Sequence, residues 1–278
     1  MLPEWPQNRI AANGAEFNYY RTVGSAGAGK PVLVLQHGLS DTGLCWAPVA
    51  RELAGEYDII MPDARGHGHS ARVVAGEDVD QAADLAALLG ALGVNKALVA
   101  GHSLGAQIAA DLAARFPERV TAVVLEDPPW FLPRPTPEPG AGARAAPARP
   151  RFSQWFIEQQ AKSLEQVMAE CRQEHPTWPE AYVRAWCQGK HELDLNFLPQ
   201  IERPRDWQGC VPAIRCPALL ITAEPEKGGL VTPEVERWVK AANPNFRSIN
   251  FPGVGHHVRF AMHDRYMQVF KAFLQEMA

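Results

Sequence analysis

A serine sits between two glycines at Gly101-His102-Ser103-Leu104-Gly105. A serine hydroxyl is a weak nucleophile until a base takes its proton and the backbone holds it exposed. The G-x-S-x-G spacing meets the second need where it joins a short strand to a helix. The turn is so tight that a Cβ at either glycine would strike the neighbouring strand or helix, and the strain pushes the hydroxyl outward. Ala97-Leu98-Val99-Ala100 before the motif reads as a strand, and Leu104 to Phe116 after it reads as a small-residue helix. Ser103 is therefore the candidate nucleophile, and the Leu104 amide faces the position where an oxyanion would develop.

Such a serine needs a base and a second oxyanion donor. Gly253-Val254-Gly255-His256-His257 follows the last strand-like run, and a histidine on a short glycine-rich loop can reach over a sheet edge. His256 is the candidate general base, with His257 a neighbour turned to the protein side. Gln36-His37-Gly38-Leu39 follows the first buried strand, and its His-Gly pair lets the Leu39 amide face the serine. His37 and His102 are expected to be structural.

These residues require a parallel sheet with loops gathered at one end. Apolar runs alternating with helical patterns predict one. Val32 to Gln36, Asp58 to Met61, Ala97 to Ala100, Val120 to Leu125, Ala218 to Thr222 and Arg247 to Phe251 read as strands. Asn13-Gly14 predicts an antiparallel hairpin ahead of them. Asp78 to Leu92 is an amphipathic helix, Thr232-Pro233 opens another, and Val258 to Met277 closes the chain as a helix. Between Leu125 and Ala218 the rhythm breaks. Pro133 to Pro150 reads as a mobile Pro/Gly-rich loop, and the helical segments after it form an insertion over about residues 130 to 212.

Bulk properties narrow the partners. The chain has 278 residues, 46% hydrophobic and 21% charged, with net charge -4. Neither nucleic acid nor an anionic membrane is favoured by that balance, whereas a small-molecule substrate is. Five scattered cysteines match no zinc spacing and read as free thiols of a reducing compartment. With no secretory pattern in Met1 to Ile10 and no long apolar run, a cytoplasmic location is expected. A monomer and a homodimer both remain open.

The order His37-Gly38, then Asp63-x-Arg65-Gly66-His67-Gly68-x-Ser70, then Gly101 to Gly105, then Gly253-x-Gly255-His256 resembles the α/β-hydrolase superfamily. The likeness is greatest to its small bacterial esterase, lactonase and haloperoxidase-like members. It covers about residues 17 to 129 and 213 to 278. It implies an α/β fold with a mostly parallel eight-stranded sheet flanked by helices, and a Ser-acid-His triad with neither metal nor organic cofactor. Residues 1–129 and 213–278 would form the core, and 130–212 a helical cap that shapes the substrate pocket. The acid is where the chain departs from the family pattern of Gly-x-x-Asp after the penultimate strand. Ala223-Glu224-Pro225-Glu226 stands there, so Glu226 is the expected acid by offset and Glu224 its rival. Some members take the acid from the end of the preceding strand, where Glu126 and Asp127 lie. Asp63 and Arg65 are expected to stabilise their own loop.

Serine, histidine and oxyanion amides together imply acyl transfer through a tetrahedral intermediate. The expected reaction is hydrolysis of a carboxylic ester or lactone with a mainly apolar acyl group. Trp130, Trp155 and Trp186 are the expected pocket walls, among aromatics that also build the cap's own core. The alternatives are amide or carbon–carbon bond hydrolysis and, in another class, a ligand receptor on the same scaffold.

Overall fold

Asn13 and Gly14 take positive φ (46° and 72°), folding β1 (Gln7–Ala12) back onto β2 (Ala15–Arg21) as the Asn-Gly pair predicts. The computed structural model describes residues 5–22, 29–132, 152–201, 203 and 205–277. β2 lies antiparallel to β4 (Asp58–Pro62), and β4 lies parallel to β3 (Val32–Gln36). Beyond β3 come β5 (Ala97–His102), β6 (Val120–Glu126), β7 (Ala218–Ala223) and β8 (Phe246–Phe251), all parallel. The described strands thus form one eight-stranded sheet in the order β1-β2-β4-β3-β5-β6-β7-β8.

The central strands are apolar on both sides because both faces are covered. Val34, Ile60, Val99 and Val123 meet one helical layer made by α2 (Gln81–Ala91), α3 (Leu104–Arg115) and α9 (Pro233–Ala242). Their neighbours in sequence, Leu33, Ile59, Leu98 and Ala122, point the other way. There they meet α1 (Ala47–Leu53) and the C-terminal helical segment. That segment is not continuous. Met262 (φ -132°, ψ 54°) separates α10 (Val258–Ala261) from α11 (His263–Glu276).

Between β6 and β7 the chain forms α4 (Phe152–Gln160), α5 (Leu164–Glu174), α6 (Glu180–Glu192), α7 (Leu198–Ile201) and α8 (Trp207–Ala213). A reciprocal Ser163–Gln166 capping box starts α5 just after the end of α4. Val167, Met168 and Cys171 of α5 pack on Val183 and Cys187 of α6 in a small separate core. The 133–150 loop lies outside the described residues. Trp207, Cys210 and Val211 of α8 join the main core beside α3, as do Phe156 of α4 and Leu198 of α7.

Candidate active site

Ser103 has φ 55° and ψ -120°, a conformation that costs a non-glycine residue on the order of 1–3 kcal/mol. The flanking glycines explain how the turn exists. A Cβ on Gly101 would stand 2.1 Å from the Gly105 carbonyl oxygen, and one on Gly105 would stand 2.3 Å from that of Gln36. α3 is thereby pressed against the end of β3. The Ser103 amide donates to the Glu126 carbonyl at 2.8 Å, which ties the elbow to β6.

One position beyond, Asp127 (φ 44°) is fully buried. Its carboxylate accepts from the Leu230 and Val231 amides at 2.9 and 3.1 Å, and its Oδ2 accepts from His256 Nδ1 at 2.6 Å. That leaves Nε2 of His256 for proton exchange. The two rings of His102 and His256 lie 4.5 Å apart, which sets His256 over the elbow. His102 Nε2–H donates to the His256 carbonyl at 3.0 Å, so this buried ring fixes the loop instead of moving protons. Burial and the Arg259 charge hold its pKa well below the usual histidine value.

The acid expected after β7 does not reach His256. Glu226 is exposed on the short turn Pro225–Lys227. Glu224 Oε2 accepts instead from the Gly253 amide at 2.6 Å, and its own amide donates to the Val254 carbonyl. Glu224 therefore braces the histidine loop from outside, and Gly255 passes against the backbone of this turn. A Cβ there would lie 2.1 Å from the Lys227 oxygen. The carboxylate on His256 is Asp127, at the end of the preceding strand, where some family members carry the acid.

The first-strand loop also lies against the elbow. A Cβ on Gly38 would stand 3.3 Å from the Ser103 Cβ, so Leu39 begins within reach of the nucleophile. Leu104 opens α3, where helix geometry leaves amides unpaired. His37 Nδ1–H donates to the Gly38 carbonyl at 2.7 Å, and its Nε2 accepts from the Ala64 amide at 2.9 Å, a structural role for a neutral ring. Asp63 is buried and accepts from Gly43 and His69 amides and from Asn18, while Arg65 pairs with Asp84 and Glu77. Both hold their loop, as expected.

The three tryptophans diverge. Trp130 has no exposed surface, stacks on Trp207 at 5.4 Å and donates to Gln107, so it is core and not a pocket wall. Trp155 is 37% exposed and adjoins Trp186. Trp186 donates from Nε1 to His257 Nε2 at 3.0 Å, turning His257 toward the insertion. Desolvation, with the neighbouring His256 and Arg259, lowers the His257 pKa well below the usual histidine value.

Beneath these groups lies a charged layer of which the sequence singles out only Glu126, as a candidate acid. Arg259 and Glu126, both buried, pair at 2.9 Å, and Asp41 faces Arg259, His102 and Lys190. Lys190 carried a signal, for it falls four residues after Trp186 on the buried stripe of α6. Among the described residues, His102, His256 and His257 bring ring nitrogens within 4.8 Å of one another. His102 Nε2 and His257 Nε2 are already hydrogen-bonded, whereas His102 Nδ1 has no hydrogen-bond partner.

Comparison with known proteins matches this architecture. The model of the alpha/beta hydrolase family fits residues 32–272. The N-formylmaleamate deformylase of Pseudomonas putida is 28% identical over 95% of both chains. The putative carbamate hydrolase RutD of Klebsiella pneumoniae is 30% identical over 82% of this chain and 85% of its own. Among solved structures, the Pseudomonas putida N-formylmaleamic acid deformylase superposes with a TM-score of 0.76 at 22% identity, covering 95% of this chain and 100% of the other. The enol-lactonase of Burkholderia xenovorans gives 0.70 at 20% identity, with 96% and 100% coverage. The chain belongs to the alpha/beta hydrolase family.

Proposed function

We propose that the protein is a serine hydrolase that cleaves a carboxylic ester or lactone of a small, mainly apolar substrate. The observation that carries this reading is the strained Ser103 at the carboxyl end of β5, with the His256–Asp127 pair held over it. His256 Nε2 takes the Ser103 proton as Oγ attacks the substrate carbonyl, and Asp127 holds the imidazole in the required tautomer. The amides of Leu39 and Leu104 receive the oxyanion. Collapse of the tetrahedral adduct expels the leaving group, which His256 protonates, and leaves an acyl-serine. A water molecule deprotonated by His256 then attacks that ester, and Ser103 is released as the acid product forms. Trp155 and Trp186 support an apolar wall beside His257.

A second reading keeps the residues and changes the bond to an acyl C–N bond. It is favoured by the two relatives matched along most of their length, one named a deformylase and the other a putative carbamate hydrolase. Both readings predict covalent labelling of Ser103 by a fluorophosphonate probe, located by peptide mass mapping. Turnover of p-nitrophenyl esters, lactones and N-acyl amides then ranks the bonds. Labelling elsewhere or not at all removes the serine mechanism. Labelling followed by tight ligand retention without turnover favours a receptor.

A further inference from the structure

The loop that carries Leu39 is a four-residue turn, Gly38 to Asp41, closed by the Asp41 amide donating to the Gly38 carbonyl at 3.2 Å. Its third residue, Ser40, has φ 58°, the left-handed value that turns normally reserve for glycine. Ser40 is nevertheless serine and almost wholly buried. Such strain persists only where the surroundings over-determine it, and here α6 of the insertion supplies the surroundings.

Gly189 lies so close to the turn that a Cβ would stand 2.4 Å from the Ser40 carbonyl oxygen. The next residue, Lys190, is 1% exposed and donates from Nζ to Ser40 Oγ at 2.7 Å. The same ammonium is 3.8 Å from Asp41 and 3.6 Å from the centre of the Trp186 ring. A buried lysine is costly unless it is paired, and these partners all belong to the turn or to α6. Desolvation lowers its pKa, while Asp41 acts in the opposite direction.

We infer that Lys190 is a positioning residue, clamping the Gly38–Asp41 turn so that the Leu39 amide points at the oxyanion. This inference rests on the serine hydrolase reading. The insertion then does more than wall the substrate. It completes the oxyanion site from above, and the ground-state substrate gains little from the clamp while the tetrahedral adduct gains much.

The test is Lys190→Met, which keeps the aliphatic stem and removes the ammonium. Wild type is first shown to react with a fluorophosphonate at Ser103, and kcat is expressed per phosphonylatable site so that unfolded enzyme does not count. If wild type fails that step, the hydrolase reading itself falls. Given labelled wild type, kcat should drop about 10- to 100-fold with KM within about twofold, as a misaimed donor requires. Affinity for a trifluoromethyl ketone, whose adduct places an oxyanion in the hole, should fall by the same factor as kcat/KM. Unchanged kcat and inhibitor affinity would overturn the inference, and so would a raised KM at constant kcat, which marks a pocket wall. If Lys190→Met does not fold, Ser40→Gly decides by the same readouts, since glycine keeps the left-handed turn but loses the hydroxyl clamp.

Discussion

Asp127 Oδ2 and His256 Nδ1 lie 2.6 Å apart across 129 positions of sequence, and the same carboxylate takes two backbone amides from the loop after β7. β6 adjoins the strand of the nucleophile, so a carboxylate at its end is one strand nearer to Ser103 than any residue after β7.

Asp127→Asn should therefore lower kcat by about three to four orders of magnitude, because the amide favours the wrong imidazole tautomer. Glu226→Gln should stay close to wild type, and Glu224→Gln should cost at most a few-fold in rate through a looser histidine loop. Side-by-side kcat values decide it. Near-normal turnover in Asp127→Asn would remove Asp127 from the mechanism.

Ser103→Ala should abolish turnover while leaving the melting temperature within a few degrees of wild type. Ser103→Gly should be equally inactive yet more stable by about 1 kcal/mol, since glycine accepts the positive φ without strain. Calorimetry on both variants checks the pair. A glycine variant less stable than the alanine variant would deny the strain.

Trp155→Ala should raise KM for an apolar ester by about 5- to 30-fold, the range expected for about one to two kcal/mol of lost apolar contact. Its partial exposure means that the melting temperature should barely move. An unchanged KM would place Trp155 outside the substrate's reach.

The buried rings of His37, His67 and His102 and the half-buried ring of His257 all have pKa values held below the ordinary 6.5, chiefly by desolvation. Each is harder to protonate in the folded chain than in the unfolded one. The unfolded state thus binds more protons below about pH 6.5, and stability should fall steadily as pH drops through that value. Urea midpoints at about pH 7.5, 6.5 and 5.5 read the slope, and a midpoint that rises on acidification would contradict the sign.

Residues that act through local backbone geometry were legible without any structure. Glycines at 101 and 105 have one purpose in a strand-to-helix turn, and the observed clashes are with the turn's own neighbours. The Asn13-Gly14 hairpin, the two-sided apolar strands and the Thr232 cap are likewise written in near-neighbour chemistry. The histidine loop followed from its place after the last strand.

Tertiary structure decided which carboxylate meets His256, because offset along the chain says nothing about which loop turns inward. Glu226 has the right spacing but points to solvent, while Asp127 is aimed by a positive φ and by amides more than a hundred residues away. The same holds for Trp130, whose burial depends on Trp207 stacking from another element. Lys190 shows the reason most plainly. A lysine on an apolar helical stripe is an anomaly in sequence, and only the packed fold supplies Ser40 and Asp41 to receive its charge.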